Sequence, residues 1–237
     1  MMSNNNVISK IARDTFSIQL KWSVWFISIV FFIFVVAKFF MTDTEGLDEN
    51  FLNISIPPSK IFMLVNGILV SFTFLEHYIG LRVSRKQFFY GIVMSSIGIA
   101  IALTMIVLLF QGLAYLIGDF TPLNLGQLGI FEDGSLSTVV KHIFNLFSYY
   151  GIGWIISSGF YRYGGWGGIG LVLVGIAFMA GIELIWEGNL SNTMFNWLNI
   201  QLSDFNLMLS MILSILLIFL NYWLIKRLLA RVPTKIS

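Results

Sequence analysis

Glu183 and Glu187 stand four residues apart in "GIELIWEG", on one face of any helix that carries them. Two carboxylates at that spacing can share a proton, act as an acid–base pair or, joined by a histidine, hold a metal. The chain has two histidines, His77 and His142. They end and begin different apolar runs, on opposite faces, so they cannot share a site. His142 falls at the depth of Glu183. A catalytic or proton-carrying set of Glu183, Glu187 and His142 is therefore one reading of these residues. The plainer reading makes Glu183 a wall of a polar cavity and leaves Glu187 outside, beyond Trp186. Other chemistry lacks its residues. No G-x-x-x-x-G-K-[ST] phosphate cradle, H-E-x-x-H zinc motif or G-x-S-x-G nucleophile elbow occurs. The absence of cysteine excludes disulfides, thiolate metal sites and cysteine nucleophiles.

The elements that position these residues follow from composition. Of 237 residues, 57% are apolar and only 11% charged, against about 25% charged in a soluble domain. Too little polar surface remains to cover a core in water, so the chain reads as an integral membrane protein. A formal charge of +2 is too small to suggest nucleic acid as a partner.

Six apolar runs are expected to be transmembrane helices, at about 22–40, 61–79, 87–118, 143–160, 166–185 and 206–225. The third spans roughly 48 Å at about 1.5 Å per residue, more than a hydrocarbon core of about 30 Å requires. It must tilt, kink or extend past the membrane. Ahead of the first run, residues 7–20 place Ile8, Ile11, Ala12, Phe16 and Leu20 on one helical face and Lys10, Arg13, Asp14 and Ser17 opposite. This predicts an interfacial amphipathic helix, with a plain charged flank as the alternative. Residues 41–59 are acidic and end in "IPPSK", a rigid return to the second run. Segment 189–203 mixes Leu190, Met194, Phe195, Trp197, Leu198 and Ile200 with Asn and Ser; it predicts a short amphipathic helix on the outer leaflet. The glycine-rich "YGGWGGIGLVLVG", 163–175, lacks a lysine. Its Gly164 and Gly168, like Gly91 and Ser95, form small-xxx-small pairs that favour close helix packing.

Cations orient the chain. With the N-terminus inside, Lys10, Arg13, Lys21, Arg82, Arg85, Lys86, Arg162, Lys226, Arg227, Arg231 and Lys235 are cytoplasmic, eleven of the fourteen. Lys38, Lys60 and Lys141 lie at outer helix ends, beside most of the acids. Six spans return the basic C-terminus to the same side. Glu76, at the inner end of the second run, is placed to pair with Arg82 or Arg85.

The tightest basic cluster is "GLRVSRKQFF", residues 80–89. The positive-inside rule accounts for its charge. It is also short, ordered and followed by an overlong helix. With the interfacial helix, the six spans and the outer amphipathic segment, Ser84-Arg85-Lys86-Gln87-Phe88-Phe89 resembles the coupling element of type-2 ABC exporter permeases. The resemblance implies an all-α polytopic membrane protein of the bacterial cytoplasmic membrane, with both termini inside. It implies a transport subunit rather than an enzyme. It binds no cofactor of its own, ATP and Mg sitting on a separate ATP-binding cassette subunit. Gly80, Arg82, Ser84, Arg85, Lys86, Gln87 and Phe88 would dock in that subunit. A second permease chain, identical or related, would complete the path for a hydrophobic or amphipathic peptide, antibiotic or lipid. In that family a glycine often stands two residues before the serine; here Arg82 holds the position and the glycine is Gly80. Besides the intramembrane enzyme, a membrane sensor or accessory protein without transport is the remaining alternative.

Overall fold

Backbone groups in lipid must bond within their own segment, so long apolar runs without period-two alternation become helices. The computed structural model describes residues 4–40, 50–120, 135–188 and 206–230, and every regular element among these is helical. Helix α1 is Asn4–Phe40, α2 Phe51–Leu69, α3 Leu75–Gly80, α4 Arg85–Phe120, α5 Ser135–Glu187 and α6 Leu207–Ala230. A π-helical turn, Val70–Phe74, joins α2 to α3, so Phe51–Gly80 is one continuous rod. Among the described residues, five helices are long and apolar enough to cross a membrane. Much of their outer surface is apolar and exposed, as on Trp25, Phe32, Leu109, Met208 and Phe219. That surface suits lipid as the solvent.

Helix α5 holds 53 residues, about 80 Å if straight. It is not straight. Gly164 adopts φ 70°, ψ −159°, a conformation open essentially to glycine alone. The chain turns back there. Gly159 faces Leu171, Gly168 faces Phe160, and Gly175 faces Ile152 and Ile156. Farther along, Phe144 and Trp186 lie 6.1 Å apart between ring centroids. The arms 135–163 and 165–187 are thus antiparallel and correspond to the expected fourth and fifth runs. Gly164 is the break between helices, not half of a packing pair with Gly168.

The first arm of α5 is the centre of the bundle. From Asn145 to Gly159 nearly every residue is buried, as expected for a helix apolar on all sides. It packs on α2, α4 and α6. Gly67 of α2 and Gly153 of α5 bring the two backbones together: a Cβ on Gly67 would strike the Tyr150 carbonyl oxygen, and one on Gly153 that of Leu64. Trp154 anchors the inner part of the core, stacked on Phe89 at 5.6 Å and edge-on to Phe88 and Tyr222, both at 6.2 Å. Rings of Phe31, Phe34, Phe51 and Phe110 fill the opposite end.

Three boundaries differ from the sequence expectation. Residues 7–20 do not form a separate interfacial helix but the first turns of α1, which runs unbroken for 37 residues. Their buried face is Ile11, Thr15 and Gln19, followed by Ser23 and Ile27. Ile11 seats on Gly91 of α4, and the Gln19 carboxamide donates to the Tyr150 hydroxyl at 3.0 Å. Tertiary packing holds the helix straight through the expected joint. The second rod begins at Phe51, with Pro57 and Pro58 inside it. The prolines lack the N–H groups that would bond back to Asn53 and Ile54. The start is secured from elsewhere: Leu52 N–H donates to Gln111 Oε1 of α4 at 3.0 Å, and Phe51 is fully buried. Finally, α6 continues to Ala230, past the expected end at 225. The expected amphipathic segment 189–203 lies outside the described residues.

Candidate functional site: a basic turn and a buried ion cluster

Charged groups gather at the two ends of the bundle. One end holds the turn between α3 and α4, the bend of α5 and the C-terminus of α6. In the turn, Arg82 has φ 58°, the left-handed conformation that glycine adopts freely and other residues reach at some cost. Ser84 then caps α4. Its Oγ accepts from Gln87 N–H at 3.3 Å, and Gln87 Oε1 accepts from Ser84 N–H at 3.0 Å and from its hydroxyl at 2.9 Å. Such a reciprocal S-x-x-Q arrangement satisfies two helix-start donors. The order of "SRKQ" therefore has a local cause, whatever else the motif does.

Arg85 reaches across to α6, donating to the carbonyls of Leu229 at 3.1 Å and Ala230 at 3.2 Å. These are last-turn acceptors with no partner inside their own helix. Arg162, beside the α5 bend, donates to Leu228 O at 3.5 Å. The turn, the bend and the end of α6 are thus tied together. Glu76 pairs with neither Arg82 nor Arg85; Arg85 is spent on α6. Of the expected docking residues, Gly80, Arg82, Ser84 and Lys86 are exposed and Arg85 and Gln87 half-buried. Phe88 is not on this surface. It is 2% exposed, wedged between Tyr78 and Trp154, because a large ring one turn into α4 falls on its core face.

The other end holds the carboxylates. Lys60 Nζ lies 2.6 Å from Glu183 Oε1, and the Tyr149 hydroxyl donates to the same oxygen at 2.7 Å. Lys60 and Glu183 are 8% and 4% exposed. Glu187 sits 4.0 Å from Lys60 and 3.6 Å from Lys141. The ammonium of Lys60 also lies over the Tyr149 ring, 5.7 Å from its centroid. Glu183 is buried, as expected of a cavity wall, but it is paired. Glu187 is half-buried within the same cluster rather than outside it. His142 is fully buried and within electrostatic reach of Lys60, yet neither ring nitrogen has a protein partner and it bonds to neither glutamate. Among the described residues no group of three or more His, Asp or Glu can hold a metal ion.

Lys60, Lys141 and Tyr149 were not among the expected site residues. Lys60 and Lys141 read as helix-end cations, and no sequence pattern singles out Tyr149. One signal was available: a lysine inside the buried length of a membrane helix requires a counter-charge. Glu183 is the carboxylate nearest in depth.

No family model matches the chain, and no curated protein or solved structure shows a significant match to it.

Proposed function

We propose that this chain is the permease half of an ATP-driven exporter, with its basic end on the cytoplasmic face of a bacterial membrane. In this reading the spans are α1, the α2–α3 rod, α4, the two arms of α5 and α6, which makes six and leaves both termini inside. The first turns of α1 project past the bilayer on that side. A separate ATP-binding subunit docks on the turn 80–87, and a second permease chain completes the path for a hydrophobic or amphipathic substrate.

One observation carries the reading: the basic turn is a stiff handle. It joins α3 to α4 in four residues, its helix start is reciprocally capped, and Arg85 ties it to α6. Force applied to the exposed Arg82 and Lys86 acts on three helices together. A stiff, packed element passes on a rigid-body displacement that a loose loop would absorb. Arg82 and Lys86 replace Arg85 and Phe88 as the residues in direct contact with the partner; Arg85 braces the turn from behind. An intramembrane enzyme built on Glu183, Glu187 and His142 has less support, since Glu183 is neutralised by Lys60 and His142 bonds to neither glutamate. The absence of cysteine makes the test clean. Arg82→Cys protein in native membranes, treated with a short thiol-to-amine cross-linker, should give an adduct whose partner peptides come from an ATP-binding subunit. Adducts only with unrelated proteins, or none, would reject the reading.

A further inference from the structure

The seam between α2 and the first arm of α5 carries polar side chains along most of its length, and they fall into two classes. Near the α3 end every hydroxyl is used. Ser157 Oγ lies 2.9 Å from Ser71 Oγ, which in turn lies 3.0 Å from Ser158 Oγ, and Ser157 also donates to Trp154 O at 3.1 Å. These groups act as interhelical glue, the ordinary role of serine in membrane helices. The Gly67–Gly153 contact, backbone against backbone, seals the seam just above them.

Beyond that seal, toward Lys60, the pattern changes. Both nitrogens of His142, both polar atoms of Asn145, the hydroxyl of Ser59 and Oδ1 of Asn66 have no protein partner. Their residues are 0%, 1%, 0% and 1% exposed. The two helices run parallel, Lys60 beside Tyr149 and Ser71 beside Ser157 and Ser158. That register puts Ser59 within about one turn of Asn145, and Asn145 is one turn from both His142 and Tyr149 on α5. Glue would have its hydrogen bonds made. Each such group left unmade in an apolar interior costs about 1–3 kcal/mol, and several together, beside an ion pair, call for a common partner.

We infer that the Lys60 half of the α2–α5 seam is a water-binding site, in which Ser59, His142 and Asn145 hold internal water that reaches the Lys60–Glu183 pair, while the Ser71 half is dry. Water is the ligand that fits. The unpartnered groups include both donors and acceptors, and the flanking ions, Lys60, Lys141, Glu183 and Glu187, sum to zero charge, so no net ion is called for. Hydrated, the ion pair is one that can open and close; dry, it would be a fixed strut. The inference needs the bundle to be membrane-embedded but needs no particular partner or substrate.

Single cysteines in this cysteine-free chain test it. Asn145→Cys and Ser157→Cys proteins, in sealed membranes, are treated with a membrane-impermeant methanethiosulfonate from each face in turn. The thiolate, which forms only where water reaches, attacks the reagent's sulfenyl sulfur and displaces methanesulfinate to leave a mixed disulfide, so Asn145→Cys should react at least about tenfold faster than Ser157→Cys, from one face. Asn145→Cys as inert as Ser157→Cys from both faces, though fully reactive after denaturation, would overturn the inference. So would equal rapid reaction of both. Hydroxyl-radical labelling of the unsubstituted chain provides a readout independent of how the variants fold. His142 and Tyr149 should be oxidised and Tyr150, bonded to Gln19, spared. Sparing of all three would equally overturn it.

Discussion

Replacing Lys60 with methionine keeps an unbranched chain one atom shorter and strips the charge that faces Glu183. The carboxylate then stays 4% exposed, with the Tyr149 hydroxyl as its remaining close donor. Removing one partner of a buried ion pair destabilises by about 3–5 kcal/mol, because the other charge is left desolvated. The Tyr149 bond and any water at Asn145 place the expected loss at the lower end. For a chain of this length about 1 kcal/mol shifts the melting temperature by roughly 2–4 °C. Lys60→Met should therefore lower the apparent midpoint by about 10 °C, read by fluorescence-detected size exclusion of heated, detergent-solubilised protein. The double variant Lys60→Met/Glu183→Gln removes both charges and keeps a group that Tyr149 can bond. It should recover most of the loss, since a pair replaced as a unit is close to neutral. A single variant that melts like the parent, or a double variant that melts below both singles, would refute the claim that these two charges hold each other in a low-dielectric site.

The α2–α5 contact makes a second prediction: Gly67→Ala or Gly153→Ala drives a methyl into a facing carbonyl oxygen, costing about 1–3 kcal/mol or more, and should reduce monodisperse yield sharply, whereas Gly112→Ala, which meets nothing within 4 Å, should not. At the α5 bend, Gly164→Ala should cost about 1–3 kcal/mol through its φ of 70° alone, while Gly165→Ala, next to it and equally open, should change stability by no more than about 0.5 kcal/mol, a shift of roughly 1–2 °C in the melting midpoint. Ser84→Ala removes the α4 cap and should lose about 1 kcal/mol, with Ser84→Thr restoring most of it.

The all-helical, strongly apolar character and the segregation of charge were legible in the sequence, because length, hydropathy and cation placement are local quantities. The turn-back of α5 was legible too, although its cause, the glycine-only conformation at Gly164, was assigned to helix packing. The S-x-x-Q capping box is readable from residues 84–87 alone. What local pattern could not supply was pairing across the fold. Lys60 and Glu183 are 123 residues apart, and only a match of depth across the fold, not a local pattern around "PPSKIF", links them. The early start of α2 depends on Gln111, 59 residues away, which overrides two prolines. The unbroken α1 depends likewise on Gly91 and Tyr150, distant groups that bury Ile11 and Gln19. Phe88 looked like part of a surface motif because its core-facing direction follows from where α4 begins.

In the proposed function the basic turn is the site at which an ATP-binding subunit would grip the membrane domain. The most direct measurement compares two charge changes by affinity purification from native membranes, with the ATP-binding subunit quantified against the chain. Arg82→Glu/Lys86→Glu reverses the two exposed cations and leaves the cap and the α6 tie in place; membrane insertion and melting midpoint should match the parent while recovery of the ATP-binding subunit falls at least about tenfold, a coupling of about 1.4 kcal/mol or more. Reversing the equally peripheral Lys10 and Arg13 should leave recovery unchanged. Full recovery of the subunit with Arg82→Glu/Lys86→Glu, or no ATP-binding subunit with the parent chain, would contradict the account and reduce the turn to a topological marker.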